Sequence, residues 1–502
     1  YKEMSLINKI DSYFNCCDFS IYDGLSYSSD SLFISTKNIS NALIVANNNK
    51  DAEKIYLELN AFNKLKKESE KIILIPGIED MPYDMVDSDK YLSSKRNLSL
   101  FQYLNSNKTN IKVVTTIKNI QRKLIPQDIL LEETIRLKKN KSINIEKIRN
   151  QLVELGYISS PQVNFCGEFA IRGSIIDIFP GGYDQPIRID LFDTEIESIK
   201  KFDAETQITN DTNEENFLDI VPIENTILSQ KNIINFRAKF REVFEGNPNE
   251  SDIYKSISNE IIPQGFNNYF PLLYDNIGNF FEYFKEINNV IFFENFQDDI
   301  CKYDSYIQNK YNSMNNSEYK CLDPRYLYIY KNDVIKNLKN KKIFQIYKNK
   351  DVEKESYNFH ISAVPDISLK PYLENTLGDL KNFIKKRSCV VLFYDNDKKI
   401  LQLKDILSSQ NVEFKIIESL DEIDSTNKFL YLANGYIQES FKINDLDISY
   451  IRINDILKEK VKQVSKRRPK STFFIDQLKN LEIGSPVVHE SHGVGRYQGL
   501  IR

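Results

Sequence analysis

The 502-residue sequence has no tryptophan, three histidines, sixteen glycines and fifteen prolines. So little glycine and proline excludes collagen-like and Gly/Pro-rich disordered chains. Three histidines leave no convincing Ser-His-Asp constellation. None of the glycines is followed by lysine. There is thus no glycine loop whose N–H groups and lysine ammonium could neutralise nucleotide phosphates, which argues against ATP hydrolysis by a P-loop mechanism. Apolar runs are short, as at Ala42–Ala46 and Cys389–Tyr394. Nothing approaches the roughly 18 residues of a membrane span. The N-terminal YKEMSLINKIDSYF is charged throughout and offers no signal-peptide apolar core. The six cysteines form no C-x-x-C pair and read as reduced thiols, so a cytoplasmic protein is expected. Lys and Arg number 67 against 71 Asp and Glu, a net charge of −4. Any nucleic-acid contact therefore has to be a local patch. The length suggests about three domains.

What is present is alternation. Short apolar segments at 42–46, 71–75 and 111–115 alternate with helical patterns at 51–69 and 91–104. That order predicts a parallel sheet with helices on its faces. From about 130 to 220 the period drops to two, with Pro180-Gly181-Gly182 as punctuation. This predicts an antiparallel β insertion, preceded by one helix near Asn144–Leu155. Mixed helix and strand return over 220–345, including a strand at 288–295. A second α/β alternation runs from about 355 to 453, with strands at 388–395, 412–418, 428–432 and 448–453. The fold class is α/β, multidomain.

Several motifs mislead. Asp421-Glu422-Ile423-Asp424 imitates a helicase D-E-x-D box, but Glu418 and Ser419 interrupt the strand that should aim it. It reads as a surface loop or helix start. His489 and His492 are spaced H-x-x-H without a third ligand, and fit a structural role beside the Gly493 and Gly495 turn. The stretch 458–470 holds seven basic residues and one acid. It reads as a solvated linker or, alternatively, as a phosphate contact through Lys466, Arg467, Arg468 and Lys470. No catalytic, cofactor-binding or metal-ligating set emerges.

The insertion is more informative. In PIRIDLFD, alternation puts Ile187, Ile189 and Leu191 on one face and Arg188, Asp190 and Phe192 on the other. Arg172 of EFAIRG joins the second face. A phenylalanine framed by arginines and Asp190 suits a protein-binding hot spot. The alternative is that both faces are buried, with Phe192 in a second small core.

Three segments carry a resemblance. GEFAIRGSIIDIFPGGYDQPIRIDLFDTEIESIKKFDAETQ (167–207) resembles the damage-recognition pattern G-[EDT]-[YF]-x-x-R-G-x-x-[IL]-D-[IL]-[FY]-P. PGIEDMPYDMVDSDKYLSSKRNLSL (76–100) resembles an LPYD…S.R…L signature. GSPVVHESHGVGRYQGL (484–500) is similar to the opening of an RNA-polymerase-interaction module. In this order, over essentially the whole chain, they resemble the N-terminal half of the bacterial transcription-repair coupling factor family. UvrB shares the first two segments but carries a P-loop and lacks the third.

The resemblance implies a UvrB-like α/β domain at 1–130 and 221–345, interrupted by a UvrA-binding domain at 131–220. It implies a small α/β domain at 350–455, a basic linker at 456–477, and the opening of a small β-barrel polymerase module at 478–502. The implied function is transcription-coupled nucleotide excision repair, this segment recruiting UvrA to stalled RNA polymerase as a monomer. Arg172, Arg188 and Phe192 match the family's UvrA contacts in type. The arginines are expected to pair with UvrA carboxylates, and Gly173 to let the strand bend or admit a close backbone neighbour. ATP and Mg²⁺ would belong to a translocase motor missing here, which would also hold most of the contact to double-stranded DNA. The sequence lacks an initiator Met and stops within its third motif, so a fragment is expected. A C-terminal domain that covers the UvrA surface would also be missing, leaving that surface exposed. The alternative is a DNA-binding module gripping duplex through the UvrB-like domain and the 458–470 patch.

Overall fold

The computed structural model describes residues 6–15, 19–37, 39–66, 70–78, 81–84, 89–315, 320–348, 355–370, 376–386, 389–423, 429–457, 486–489 and 493–496. Its centre is a seven-stranded, all-parallel sheet. The strand order is Tyr357–Asn358, Ile21–Asp23, Lys342–Ile346, Asn289–Phe293, Ala42–Ala46, Ile111–Thr116, Lys71–Leu74. Both faces are covered, which is why its strands read as unbroken apolar runs. Leu43 and Val45 enter one core, while Ala42, Ile44 and Ala46 enter the other.

Helix α1 (Asn49–Lys64) follows Ala42–Ala46 and starts at Asn48, whose side chain accepts from the Asp51 N–H. A phosphate loop would occupy this strand-to-helix turn. Instead the Asn49 amide donates to the Gly77 carbonyl at 2.7 Å and accepts from the Gly77 N–H at 2.8 Å.

Helix α2 (Lys90–Leu104) comes from the Ser/Arg-containing signature segment and forms the seam to the insertion. The Asn97 amide donates to the carbonyls of Pro222 (3.0 Å) and Glu224 (3.2 Å), and Arg96 donates to Asn225 Oδ1 at 3.1 Å. The insertion holds helix α3 (Ile145–Glu154) and strands β1 (Ile158–Ser159), β2 (Glu168–Arg172), β3 (Ile175–Ile178), β4 (Ile187–Phe192), β5 (Glu195–Phe202) and β6 (Thr209–Glu214), in the order β6-β5-β4-β3-β2-β1. Its β3–β4 connection leans directly on α2. A Cβ on Gly182 would lie 2.9 Å from the Lys95 Cα, and φ there is +80°. The buried Tyr157 hydroxyl accepts from the Gly181 N–H (2.9 Å) and donates to the Val221 carbonyl (3.0 Å). The insertion is therefore bolted to the first domain, with its strand-to-strand turn as one of the bolts.

A second α/β sheet runs Ile361–Ser362, Phe441–Ile443, Ile448–Arg452, Cys389–Tyr394, Leu430–Asn434, Phe414–Ile417. The chain adds the edge strand Tyr357–Asn358 to the first sheet before this second sheet begins. Helix α1 is wedged between the two sheets. Phe62 meets Phe393 edge-on at 5.5 Å, and a Cβ on Gly435 would stand 2.6 Å from the Ala61 Cβ. At this joint the buried Glu58 accepts from the hydroxyls of Ser28 and Ser31 and from the Gln438 N–H (2.8 Å). Lys54 lies at 4.0 Å from it and at 3.7 Å from Asp30.

The Asp421-Glu422 segment starts a capped turn of 3₁₀ helix on the surface, as a helix-start reading requires. Pro486–His489 and Gly493–Arg496 pair antiparallel. The basic stretch with Lys466, Arg467, Arg468 and Lys470, and His492, lie outside the described residues. No helix among the described residues is long and apolar enough to cross a membrane.

Two predictions follow from the joints. Gly182→Val forces a side chain into left-handed backbone against α2 and should cost about 2 kcal/mol or more, read as a lowered urea midpoint. Burial, opposed by Lys54, pushes the Glu58 carboxyl up to about 7 from 4.5. The folded state then binds this proton more tightly than the unfolded state, so stability falls as pH rises from about 5 to about 7. Glu58→Gln should flatten that part of a Tm-against-pH profile.

Candidate interaction face of the β insertion

The six-stranded sheet has one dry face. Phe169, Ile176, Ile178, Ile187, Ile189, Leu191, Ile196 and Ile199 are buried there with Ile148, Leu152 and Leu155 from α3 and its C-terminus. Alternation sends the intervening residues to the opposite face, as the sequence pattern requires. Register places them in two rows. Arg172, Ile175, Asp190 and Ser198 face one another across β2 to β5. Ala170, Asp177, Arg188 and Lys200 form the next row. Phe192 extends past the first row, opposite Glu195 at the tip of the β4–β5 hairpin.

Arg172 and Arg188 meet at Asp177. This carboxylate has a side-chain exposure of 0%, yet Arg188 holds it twice, through Nε to Oδ1 (2.7 Å) and Nη2 to Oδ2 (3.0 Å). Arg172 donates to the same Oδ2 through Nη2. This two-pronged pairing keeps the Arg188 proton held more tightly than usual. The Arg188 guanidinium also lies 4.9 Å over the buried Phe202 ring. Asp190 is engaged too, accepting from the Ser198 hydroxyl at 2.7 Å.

In the chain alone, the two arginines differ in how far they are engaged. Arg188, with 20% side-chain exposure, is committed inside the domain. Arg172, at 53%, commits only Nη2 among the described residues. Of the two readings of Gly173, the close backbone neighbour is corrected and the bend is found as a turn. This glycine sits with Ser174 in the two-residue turn between β2 and β3, at φ +59° with open space where a Cβ would be, so it serves the turn and no close neighbour.

A second small core does exist on the outer face, built from Val163, Ala170, Phe179 and Phe202. Phe192 is not part of it and is 77% exposed. The sheet thus offers a partner one bare aromatic ring and one half-exposed guanidinium, set in an otherwise self-bonded surface. Asp177 was missed by sequence reasoning. Its signal was an acid inside the apolar strand Ile175–Ile178, on the side where both arginines point. Among the described residues, no group of three or more His, Cys, Asp or Glu is arranged to hold a metal ion.

Stability should separate these residues. Phe192→Ala removes an exposed ring and should shift unfolding by no more than about 0.5 kcal/mol. Arg188→Ala leaves Asp177 with a single partner and should cost roughly 2–4 kcal/mol. Urea denaturation of both variants checks the contrast.

A protein-family model described as the UvrB interaction domain matches residues 135–225. The transcription-repair-coupling factor of Haemophilus influenzae is 30% identical over 441 residues, covering 86% of this chain and 38% of that protein. That of Escherichia coli is 24% identical over 465 residues, 91% of this chain and 40% of that protein. That of Rickettsia typhi is 25% identical over 476 residues, 93% of this chain and 41% of that protein. The chain spans about two-fifths of the length of these curated relatives. It is thus related along most of its own length to the transcription-repair coupling factors, and it carries a UvrB interaction domain at 135–225.

Proposed function

We propose that this chain acts in transcription-coupled nucleotide excision repair by recruiting UvrA to RNA polymerase stalled at DNA damage. The observation that carries the reading is the outer face of the β insertion. It displays Phe192 and Arg172 on a domain of the UvrB interaction type. An exposed aromatic and an arginine on one face have the composition of a binding hot spot. On this reading Phe192 fills an apolar pocket on UvrA, and Arg172 donates to an acceptor at the pocket rim. Arg188 supports the face from below. The polymerase contact is assigned to residues 478–502, and contact with duplex DNA to parts of the relatives that this chain does not span.

Isothermal titration calorimetry with purified UvrA tests this. Phe192→Ala should lose roughly 30- to 1000-fold in affinity, the range expected for removing a buried hot-spot side chain. Moderate salt should weaken the Arg172 contribution more than that of Phe192. A folded wild-type chain with no affinity for UvrA would sink the reading. A steep log-salt dependence of duplex binding would favour a DNA-gripping role instead.

A further inference from the structure

We infer that Asp177 is a positioning residue of this face, holding Arg172 in one orientation on the surface that also carries Phe192. The inference rests on the UvrA reading and deepens it. An arginine at the end of a strand, next to a two-residue turn, has four rotatable side-chain bonds and would sample many orientations in water. Fixing it on binding is an entropic cost that weakens association. Here the cost is met in folding. Asp177 is directly opposite Arg188 and Ala170 in the register, and diagonal to Arg172. The small Ala170 leaves the Arg172 side chain room to reach back toward the carboxylate.

Arg188 locks Asp177 by two bonds, and its own guanidinium is braced by Phe202. The locked Oδ2 then takes Arg172 Nη2, leaving Nε and Nη1 without a hydrogen bond to the described residues. Those two donors leave different sides of the planar guanidinium, which suits separate acceptors on the partner. Arg188 thereby contributes to binding without touching the partner: it fixes the carboxylate that fixes Arg172.

Asparagine at 177 keeps the volume and one acceptor but turns the other oxygen into an N–H that confronts a guanidinium. The test is a set of double-mutant cycles read by calorimetry against purified UvrA, with thermal unfolding of each variant to verify folding. Asp177→Asn should weaken binding by roughly tenfold, the scale of one lost charge-assisted contact. In the Asp177→Asn background, Arg172→Ala should become nearly silent, while Phe192→Ala keeps its full loss. That split is what a merely structural role would not produce, because a disordered face would forfeit both contributions. If Asp177→Asn fails to fold, Asp177→Glu, which keeps the charge and displaces it by one methylene, takes its place in the same cycles. Additive losses for Arg172→Ala, or a Phe192 contribution that vanishes as well, overturn the inference and leave the UvrA reading standing. A wild-type chain that does not bind UvrA removes both together.

Discussion

The inserted sheet has two faces, and its main apolar cover lies on one of them. Helix α3 dries the Ile187–Ile189–Leu191 side. Everything else about the insertion answers the question of what to do with the other side. Part of it is closed by the small Val163–Ala170–Phe179–Phe202 core. Part is closed electrostatically, with a buried carboxylate satisfied by two arginines. A buried charge of this kind is tolerated only where partners neutralise it and bond its lone pairs. What remains unclosed is small and specific, and it is aromatic and cationic.

The surroundings make that remainder rigid. The insertion is seated on α2 through Gly181 and Gly182, where a Cβ would meet Ser94 and Lys95, and the segment leaving it is bonded to Asn97 and Arg96. Helix α1 does the same on the far side of the parallel sheet, where Ala61 and Phe62 pack against the second α/β unit. Buried polar groups stand at these seams. Glu58, Asn97 and Tyr157 each tie together segments distant in the sequence. Such bonds fix the relative placement of units, because a buried polar group left unmatched by a shift is costly.

Much of this was legible in the sequence, for identifiable reasons. Strands such as Ala42–Ala46 and Cys389–Tyr394 are buried on both faces, so their apolar runs are continuous and easily read. The two-residue period of Ile187–Phe192 correctly separated the core face from the outer one. What alternation cannot reveal is which residues on one face bond to each other. That depends on register, and the pairing of Asp177 with Arg188 is a register fact. The close-neighbour reading of Gly173 failed because nothing local distinguishes a glycine inside a strand from one that ends it. The seam residues of α2 stood out as part of a signature, yet their purpose is long-range and appears only when residues 222–225 return to them.

The clasp between Asn49 and Gly77 bears on what the turn after Ala46 can hold. The space of that turn is taken, with a side-chain amide bonded to both backbone groups of Gly77. A Cβ at Gly77 would come within 2.6 Å of Thr116 Oγ1 and 2.8 Å of Asn49 Oδ1, so the second loop is fitted to the first. Grafting a phosphate-binding loop between Ala46 and α1 would strip Gly77 of its partners and leave its N–H and carbonyl unmatched. The two loops are fitted to each other, so a change in one would require a change in the other.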